Sequence, residues 1–490
     1  MTRTKGTLIW LSGVCLAVPA IGQTLEIGSQ APKLEVSKWV KGQPVDLGAS
    51  KGKQITVVEF WATWCAPCIE SIPHLTALQQ EYGNKGVRIV GVSRLDDRGN
   101  TLEAVEEFVG KWGDKMDYAV AFDKDGSAYD AYMTAARQQG IPTAFVVDQG
   151  NHVAWIGHPL AGLDDVLAEM IAGTYNIEVA KKYAKLQAKG REAWFEDDIE
   201  KVLKLANEAI ALRPTAYDPW RVKFDTLANY LEKHKEAKAC AKEALKMWAD
   251  RPSRIAKFAT DVLISDDDEH GYNTLALKAL RRTLTRAPDN VDLHVAHFQA
   301  LAAAGKDAKA LSAATEAVKM MKGDATRLSR FAHELSSPAR ARLCGDLALK
   351  AVALAIEVEP DAPGHLLTKF QILNECKKDI KGATITGQYL IQKAAGDADF
   401  LNGFAWNLLT VESLKGKFNE LALAAAEAMI QSSGGDQWMM LDTLALAKFE
   451  NGAVDEAIKI QKKAVEQCDN DGALNELKGR LEQFEAAAGK

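Results

Sequence analysis

The first third of the chain alternates short apolar runs with stretches in which apolar residues recur at helical spacing. The runs at residues 55–60, 87–93 and 143–148 are rich in β-branched and aromatic side chains, a composition that predicts buried strands. Residues 102–112 and 127–138 carry the helical pattern between the later runs. This alternation of strands and helices predicts an α/β layer fold.

The rest of the chain has a different pattern. From about residue 175 the strand patterns stop, and alanine, leucine, lysine and glutamate dominate. Small residues recur there at intervals of 34 to 39 positions, and prolines follow three of them by five residues, where a helix would end. The recurring positions are Ala209, Ala244, Thr283, Ala317, Ala355, Ala394, Ala428 and Ala464. The pattern predicts an all-α region of repeated helix pairs.

A repeat of this length resembles the tetratricopeptide repeat family, whose unit is a pair of antiparallel helices. The small residues lie where the two helices of a pair approach closely. The resemblance implies about eight degenerate repeats, stacked as a tetratricopeptide-like solenoid over residues 178–488. The groove of such a solenoid commonly binds segments of other proteins, so a protein partner is expected on this region. A rigid spacer or a dimerisation surface is the alternative.

The N-terminus has the pattern of an export signal. Arg3 and Lys5 precede an apolar stretch at residues 8–21, and Ala20 and Gly22 have the spacing that signal peptidase recognises. We predict a signal peptide over residues 1–22 and an exported protein, periplasmic or otherwise extracytoplasmic. An uncleaved membrane anchor is the alternative, although the stretch is shorter than the roughly 20 residues that span a bilayer.

Length and charge add two constraints. A chain of 490 residues exceeds what one hydrophobic core usually serves, so we predict two domains behind the signal, at residues 23–173 and 174–490. The net charge is only −6, and no basic run carries interleaved aromatic residues. Nucleic acid is therefore not expected as a partner.

The cysteines divide into one close pair and four single residues. Of the seven in the chain, six follow the predicted signal, and only Cys65 and Cys68 are close in sequence. The single cysteines are Cys240, Cys344, Cys376 and Cys468. They lack the paired spacing of a zinc site, so no metal is expected. We expect them to be buried free thiols, with structural disulfides as the alternative.

The close pair lies in a recognisable segment. The sequence FWATWCAPC at residues 60–68 directly follows a predicted strand, Pro73 comes five residues later, and GIPT at residues 140–143 precedes another strand. Together these features resemble the thioredoxin superfamily, and within it the exported, TlpA-like thiol-disulfide reductases. The resemblance covers about residues 26–173. It implies an α/β thioredoxin-like fold and a redox-active disulfide, with no other cofactor.

The order of the two cysteines predicts their roles. A helix N-terminus presents unpaired N–H groups and a partial positive charge, which favour the thiolate of the first cysteine. Cys65 is therefore the predicted nucleophile, and Cys68, one turn along the helix, is the predicted resolving thiol. Because Ala66 and Pro67 offer no charge to stabilise the thiolate further, we expect a reductant rather than a strong oxidant.

The resemblance implies further site residues. Pro142 would be in the cis form and pack against the disulfide, and Ile141 would offer its backbone groups to an extended substrate segment. Trp64, Ala66 and Pro67, around the cysteines, are the other expected substrate contacts. A trans proline at the start of a strand is the alternative for Pro142.

Glu59 is unusual because it stands in an otherwise apolar strand, two residues before Trp61. Thioredoxins carry a buried acid at this position, and the resemblance implies that Glu59, with a raised pKa, accepts a proton from the resolving thiol. The exported branch more often places its acid in the helix, where this chain has Ser71 with Glu70 before it. The alternative is a Glu59 at a strand edge, in water.

Two functions fit these predictions. The first is a reductase of disulfides in exported proteins, with a disulfide-containing protein as substrate, an unidentified upstream electron donor, and helical repeats that dock the partner. The second is a redox-regulated adaptor in which the repeats carry the main function.

Overall fold

The computed structural model describes residues 24–48, 51–434 and 437–489. The predicted signal peptide, residues 1–22, lies outside the described residues. No helix within the described ranges is both long and apolar enough to cross a membrane. The chain forms two compact units, of which the first ends at Asp250 and the second begins at Arg251.

The core of the first unit is a mixed sheet, which in the described residues has six strands in the order β1-β4-β3-β2-β5-β6. The strands are β1 Lys38–Lys41, β2 Ile55–Trp61, β3 Val87–Arg94, β4 Ala119–Asp123, β5 Thr143–Val147 and β6 Val153–Gly157. The neighbours β2, β3 and β4 run parallel, whereas β1, β5 and β6 pair antiparallel to their neighbours. Every residue of β2 is buried, as expected for a central strand.

Helices cover both faces of this sheet. They are α1 Ala66–Tyr82, α2 Leu102–Trp112, α3 Ser127–Tyr129 with a π-helical turn at Asp130–Thr134, and α4 Leu163–Ile171. Apolar side chains of α1, α2 and α4 pack on one face, and those of α3 and its π-helical turn pack on the other. The predicted α/β thioredoxin-like layer fold is confirmed.

The described residues after α4 are helical, so the predicted all-α region is also confirmed. The first unit continues with α5 Ile177–Phe195, α6 Ile199–Leu212, α7 Tyr217–Asp225 and α8 His234–Met247. The second unit contains α9 Pro252–Phe258, α10 Tyr272–Leu284, α11 Val291–Ala303, α12 Asp307–Met320, α13 Ala325–Leu335, α14 Ala341–Val358, α15 Pro363–Gln371, α16 Ile380–Lys393, α17 Ala398–Thr410, α18 Asn419–Ser433, α19 Trp438–Glu450, α20 Val454–Gln467 and α21 Asp471–Ala488.

The periodic small residues occupy equivalent places in this region. Each one lies in an even-numbered helix from α6 to α20, except that Ala394 caps the end of α16. All are buried apart from Ala428, which is half-buried beside the buried Ala425 and Ala426 of α18. Burial of a small side chain at each place lets the neighbouring helix approach closely, which is the physical reason for the period.

Polar contacts between helices of the second unit recur at a similar interval. The Thr260 hydroxyl donates to Gln299 Oε1 at 2.9 Å, and Gln299 Nε2 donates to Glu334 Oε1 at 2.8 Å. Further along, the Ser329 hydroxyl donates to that of Thr368 at 3.1 Å. The separations of 39, 35 and 39 residues match the spacing of the small residues, so successive helix pairs make equivalent contacts.

The first helices of the all-α region are held against the thioredoxin-like fold. Asn176 caps α5 by accepting hydrogen bonds from the backbone N–H groups of Glu178 and Val179. Arg213, at the end of α6, lies 2.7 Å from the Glu169 carboxylate of α4, with only 10% and 25% of the two side chains exposed. The Arg213 guanidinium also stacks on the Tyr183 ring of α5, 5.2 Å from its centre.

The four single cysteines are free thiols. Cys240 and Cys344 are buried, and burial raises the pKa of the Cys240 thiol to about 12. Cys376 and Cys468 are half-buried. The expectation of free thiols holds for all four, and the expectation of full burial holds for two.

Candidate active site

Cys65 and Cys68 form a disulfide at the start of α1, with their Cα atoms 5.2 Å apart. Cys65 is the N-cap of the helix, and its sulfur accepts a hydrogen bond from the Cys68 backbone N–H at 3.3 Å. Pro67 fits the first turn because a backbone N–H there would have no partner within the helix. The first sulfur therefore lies where the helix N-terminus stabilises negative charge.

The two cysteines differ in their access to solvent. Cys65 is 4% exposed and Cys68 is 0% exposed, whereas Ala66 and Pro67 between them are exposed. Trp64, directly before the pair, is 40% exposed. Cys65 thus keeps a small exposed area that Cys68 lacks, an asymmetry that suits one attacking and one resolving thiol.

The loop before β5 brings the second sequence motif to the disulfide. The Ile141–Pro142 peptide bond is cis. Pairing of Thr143 with Phe60 places this loop beside the end of β2, and Cys65 Sγ lies 3.7 Å from the Ile141 carbonyl oxygen. The Thr143 hydroxyl donates to the Gly140 carbonyl at 2.7 Å, which closes the loop.

Three of the residues predicted for the site, Cys65, Cys68 and Ile141, therefore meet, and Pro142 follows Ile141 in the same loop. Trp64 instead faces the loop after β3, where its Nε1 donates to Asp96 Oδ2 at 2.8 Å.

The loop after β3 was not predicted as part of the site. Asn100 is fully buried, and its Oδ1 accepts hydrogen bonds from both the backbone N–H and the hydroxyl of Thr63 at 2.9 Å. Its Nδ2 donates to Ser93 Oγ and to the Arg94 carbonyl. The Arg98 guanidinium lies 4.5 Å from the centre of the Trp64 ring. A polar stretch that directly follows a buried strand was the available signal for this loop.

Glu59 is 1% exposed, because its strand β2 lies between β3 and β5. The alternative of a strand edge in water is therefore wrong. Burial raises the pKa of Glu59 from 4.5 to about 8. Alternate residues of a strand share a face, so Glu59 points to the same side as Val57 and Trp61, which pack in one cluster with Cys68.

The surroundings of Glu59 contain other buried polar groups. Neither carboxyl oxygen has a hydrogen-bond partner among the described residues, and the same is true of Trp61 Nε1 and the Tyr118 hydroxyl. Burial, together with the charge of Glu59, raises the pKa of Tyr118 well above its ordinary value. Gly91 pairs with Glu59, and a Cβ there would stand 2.9 Å from Trp61 Nε1 and 3.2 Å from the Tyr118 ring. Sequence reasoning missed Tyr118, since no local pattern marks it.

Ser71 stands at the helix position where the exported branch more often has an acid, and it makes a structural contact there. It is fully buried, and its hydroxyl donates to the Cys68 carbonyl at 2.7 Å, two residues before the Pro73 that lies within the helix. Glu70 is exposed. Glu59 is thus the buried carboxyl of the cluster that contains Cys68.

Within the described part of the chain, no group of three or more His, Cys, Asp or Glu side chains is placed to hold a metal ion.

Comparison with known proteins gives a consistent family. The Redoxin family model matches residues 26–159. The thiol-disulfide oxidoreductase ResA of Bacillus thuringiensis subsp. konkukian is 33% identical over 131 residues, which are 27% of this chain and 69% of that protein. Protein FixW of Rhizobium leguminosarum is 27% identical over 168 residues, 34% of this chain and 75% of that protein.

A solved structure, a thioredoxin-family thiol:disulfide interchange protein from Chlorobium tepidum TLS, is 23% identical over 29% of this chain and 97% of that one, with a TM-score of 0.25. The Redoxin match spans the Cys65–Cys68 site, and the ResA protein is 33% identical over 69% of its own length, so the chain belongs to the ResA-like thiol-disulfide oxidoreductases of the thioredoxin superfamily.

Proposed function

We propose that this oxidoreductase reduces disulfides in exported proteins, and that its helical region, built from tetratricopeptide-like repeats, docks a partner or substrate protein. The Cys65–Cys68 disulfide at the start of α1 is the observation that carries the thiol-disulfide exchange, and the uncharged Ala66 and Pro67 between the cysteines support the direction of a reductant. The charge pattern of residues 1–22 supports export. The regular burial of small residues in the even-numbered helices supports the repeat assignment.

The reaction proceeds in two exchanges. The Cys65 thiolate of the reduced enzyme attacks one sulfur of the substrate disulfide, which forms a mixed disulfide and releases the other substrate sulfur as a thiolate. Cys68 then loses its proton and attacks the Cys65 sulfur, which releases the reduced substrate and leaves the Cys65–Cys68 disulfide. Glu59, in its ionised form, receives the Cys68 proton. An external dithiol donor returns the two electrons and is itself oxidised.

Substitution of each cysteine tests this order of events. Cys65→Ala should abolish reduction of insulin disulfides, because Cys68, the thiol that remains at the site, is fully buried. Cys68→Ala should stop turnover after the first exchange and accumulate a mixed disulfide on Cys65, visible by non-reducing electrophoresis and mass spectrometry. Cys468→Ser, at a half-buried thiol of α20's end, is the matched control and should keep the wild-type rate. Insulin reduction by Cys65→Ala at the wild-type rate contradicts the proposal.

A further inference from the structure

A cleft of about 710 Å³ lies between the thioredoxin-like fold and the first helices of the all-α region, within the first compact unit. One wall is the loop of Ile141 and Pro142, with His158 and Leu160 after β6. The opposite wall is formed by side chains of α5 and α7. Without the helices, the first wall would be an open surface of the thioredoxin-like fold. Helices α5 and α7 lie opposite this surface and so form a cleft with it.

The cleft adjoins the reactive sulfur. Ile141 lines it, and the Ile141 carbonyl oxygen lies 3.7 Å from Cys65 Sγ. A polypeptide joined to Cys65 by a mixed disulfide therefore has the cleft directly beside its cysteine. Residues that neighbour that cysteine would contact α5 and α7.

The helical wall is fixed in place. The half-buried pair of Arg213 and Glu169 ties the end of α6 to α4. On the other side of the cleft, Gly28 packs against α5, and a Cβ on Gly28 would stand 2.2 Å from Lys181 Cε. Gly28 also has φ +94°, a left-handed conformation that glycine adopts without strain. These contacts give the two walls a defined separation.

The helical wall is predominantly cationic. Its charged members are Lys181, Lys185, Arg191 and Arg221, together with Asp218, while Glu26 lies on the other wall. Among these cations, Lys181 lies 2.8 Å from Glu178 and Arg221 lies 3.4 Å from Asp225. Helix α5 as a whole nevertheless carries five Lys or Arg residues and only two Glu. The potential along α5 therefore favours a negatively charged occupant.

We propose that this cleft binds an extended acidic segment of the substrate polypeptide, next to the cysteine that Cys65 attacks. The inference rests on the proposed reductase function and deepens it, because it assigns the selection of the substrate to α5 and α7. Aspartate and glutamate side chains of the segment pair with the cations of α5, and its apolar side chains contact Ile141, Leu160 and the half-buried Trp155.

Two synthetic peptide disulfides of equal length test the proposal with the full chain. One carries Asp and Glu beside its cysteine, and the other carries Lys at the same positions. The wild-type protein should reduce the acidic peptide with a kcat/KM about tenfold higher at low ionic strength, and this preference should shrink in about 0.5 M salt because the ions screen exposed charges.

Charge reversal on the helical wall provides the second part of the test. Lys185 is exposed and lines the cleft, so Lys185→Glu should fold normally and lower the ratio of kcat/KM for acidic over basic peptide about fivefold. Lys189→Glu, on the same helix but outside the cleft lining, is the matched control and should leave the ratio unchanged.

The outcomes separate the two proposals. Equal wild-type rates for the two peptides, or equal ratios for the Lys185 and Lys189 variants, overturn the cleft assignment and leave the reductase function standing. Reduction of neither peptide overturns the reductase function and the cleft assignment together.

Discussion

At the residue scale, Glu59 is the side chain whose environment departs furthest from what its chemistry prefers. It lies in a fully buried strand, and its carboxyl oxygens have no hydrogen-bond partner among the described residues. Burial disfavours the ionised form, which is why its pKa rises to about 8. A carboxyl with this pKa changes charge near neutral pH, where a resolving thiol needs an acceptor for its proton.

The raised pKa of Glu59 also predicts a pH-dependent stability. The folded protein holds this proton up to about pH 8, whereas the unfolded chain loses it near pH 4.5. The contribution to stability is thus fully present below pH 4.5 and is lost as the pH rises through 8. Glu59→Gln removes this dependence, so it should raise the free energy of unfolding by about 3 kcal/mol more at pH 7 than at pH 4.

Urea denaturation of wild type and variant at the two pH values measures this difference. Glu81→Gln, an exposed change on α1, is the control and should alter the unfolding free energy equally at both. An effect of Glu59→Gln that is the same at pH 4 and pH 7 would show that Glu59 ionises normally in the folded protein.

At the scale of elements, the active-site segment, residues 63–68, is held from two sides. The loop before β5 touches Cys65 through Ile141, and the loop after β3 holds Thr63 through Asn100. Asn100 uses both its carbonyl oxygen and its amide group, so one buried side chain links the active-site segment to the end of β3. The position of Trp64 depends on this loop, because Asp96 of the loop accepts its indole N–H.

We predict that Asn100→Ala loosens the active-site segment. The substitution leaves the buried Thr63 N–H and the Arg94 carbonyl without their partner, which should cost about 2 to 3 kcal/mol of stability. The kcat/KM for a protein disulfide should fall at the same time, since Cys65 follows Thr63 by two residues. Denaturation and insulin-reduction assays measure the two effects. Asp97→Ala, an exposed change in the same loop, should alter neither quantity, and similar behaviour of the two variants refutes the role of Asn100.

At the scale of the whole molecule, the boundary between the two compact units does not coincide with the change from α/β to all-α structure. The sheet ends at Gly157, yet the first unit continues through α5 to α8 and ends at Asp250. The change in composition near residue 175 marks where strands stop, but packing decides which helices join the sheet. Arg213 and Glu169 carry part of that packing, because both side chains are largely removed from water.

Loss of the Arg213–Glu169 pair should therefore release α5 and α6 from α4. Arg213→Ala leaves a half-buried carboxylate without its cation, and we expect a stability loss of about 1 to 3 kcal/mol with faster hydrogen exchange of α5 amides. Exchange followed by mass spectrometry compares this variant with Lys204→Ala, an exposed change on α6. Equal exchange of α5 in the two variants would mean that the ion pair does not hold the helices.

The sequence alone was sufficient to predict the features that depend on residues close together in the chain. The strands β2, β3 and β5 and the helix α2 lie where the apolar patterns predict them, because their periodicity reflects burial of one or both faces. The helix expected over residues 127–138 is shorter, and it ends in a π-helical turn at Thr134. The short strands β1 and β4 were not predicted, since β1 has four residues that are all at least partly exposed and two of the five residues of β4 are alanine.

The cysteine pair and the proline loop beside it also followed from local motifs. Only the tertiary structure decided that Glu59 is buried, because strand order is set by pairing between residues far apart in the chain. The same holds for the contacts of Asn100 and Tyr118. The cleft beside Cys65 was equally beyond the sequence, since its lining residues are spread from Leu25 to Val222 and meet only through packing of α5 and α7 on the thioredoxin-like fold.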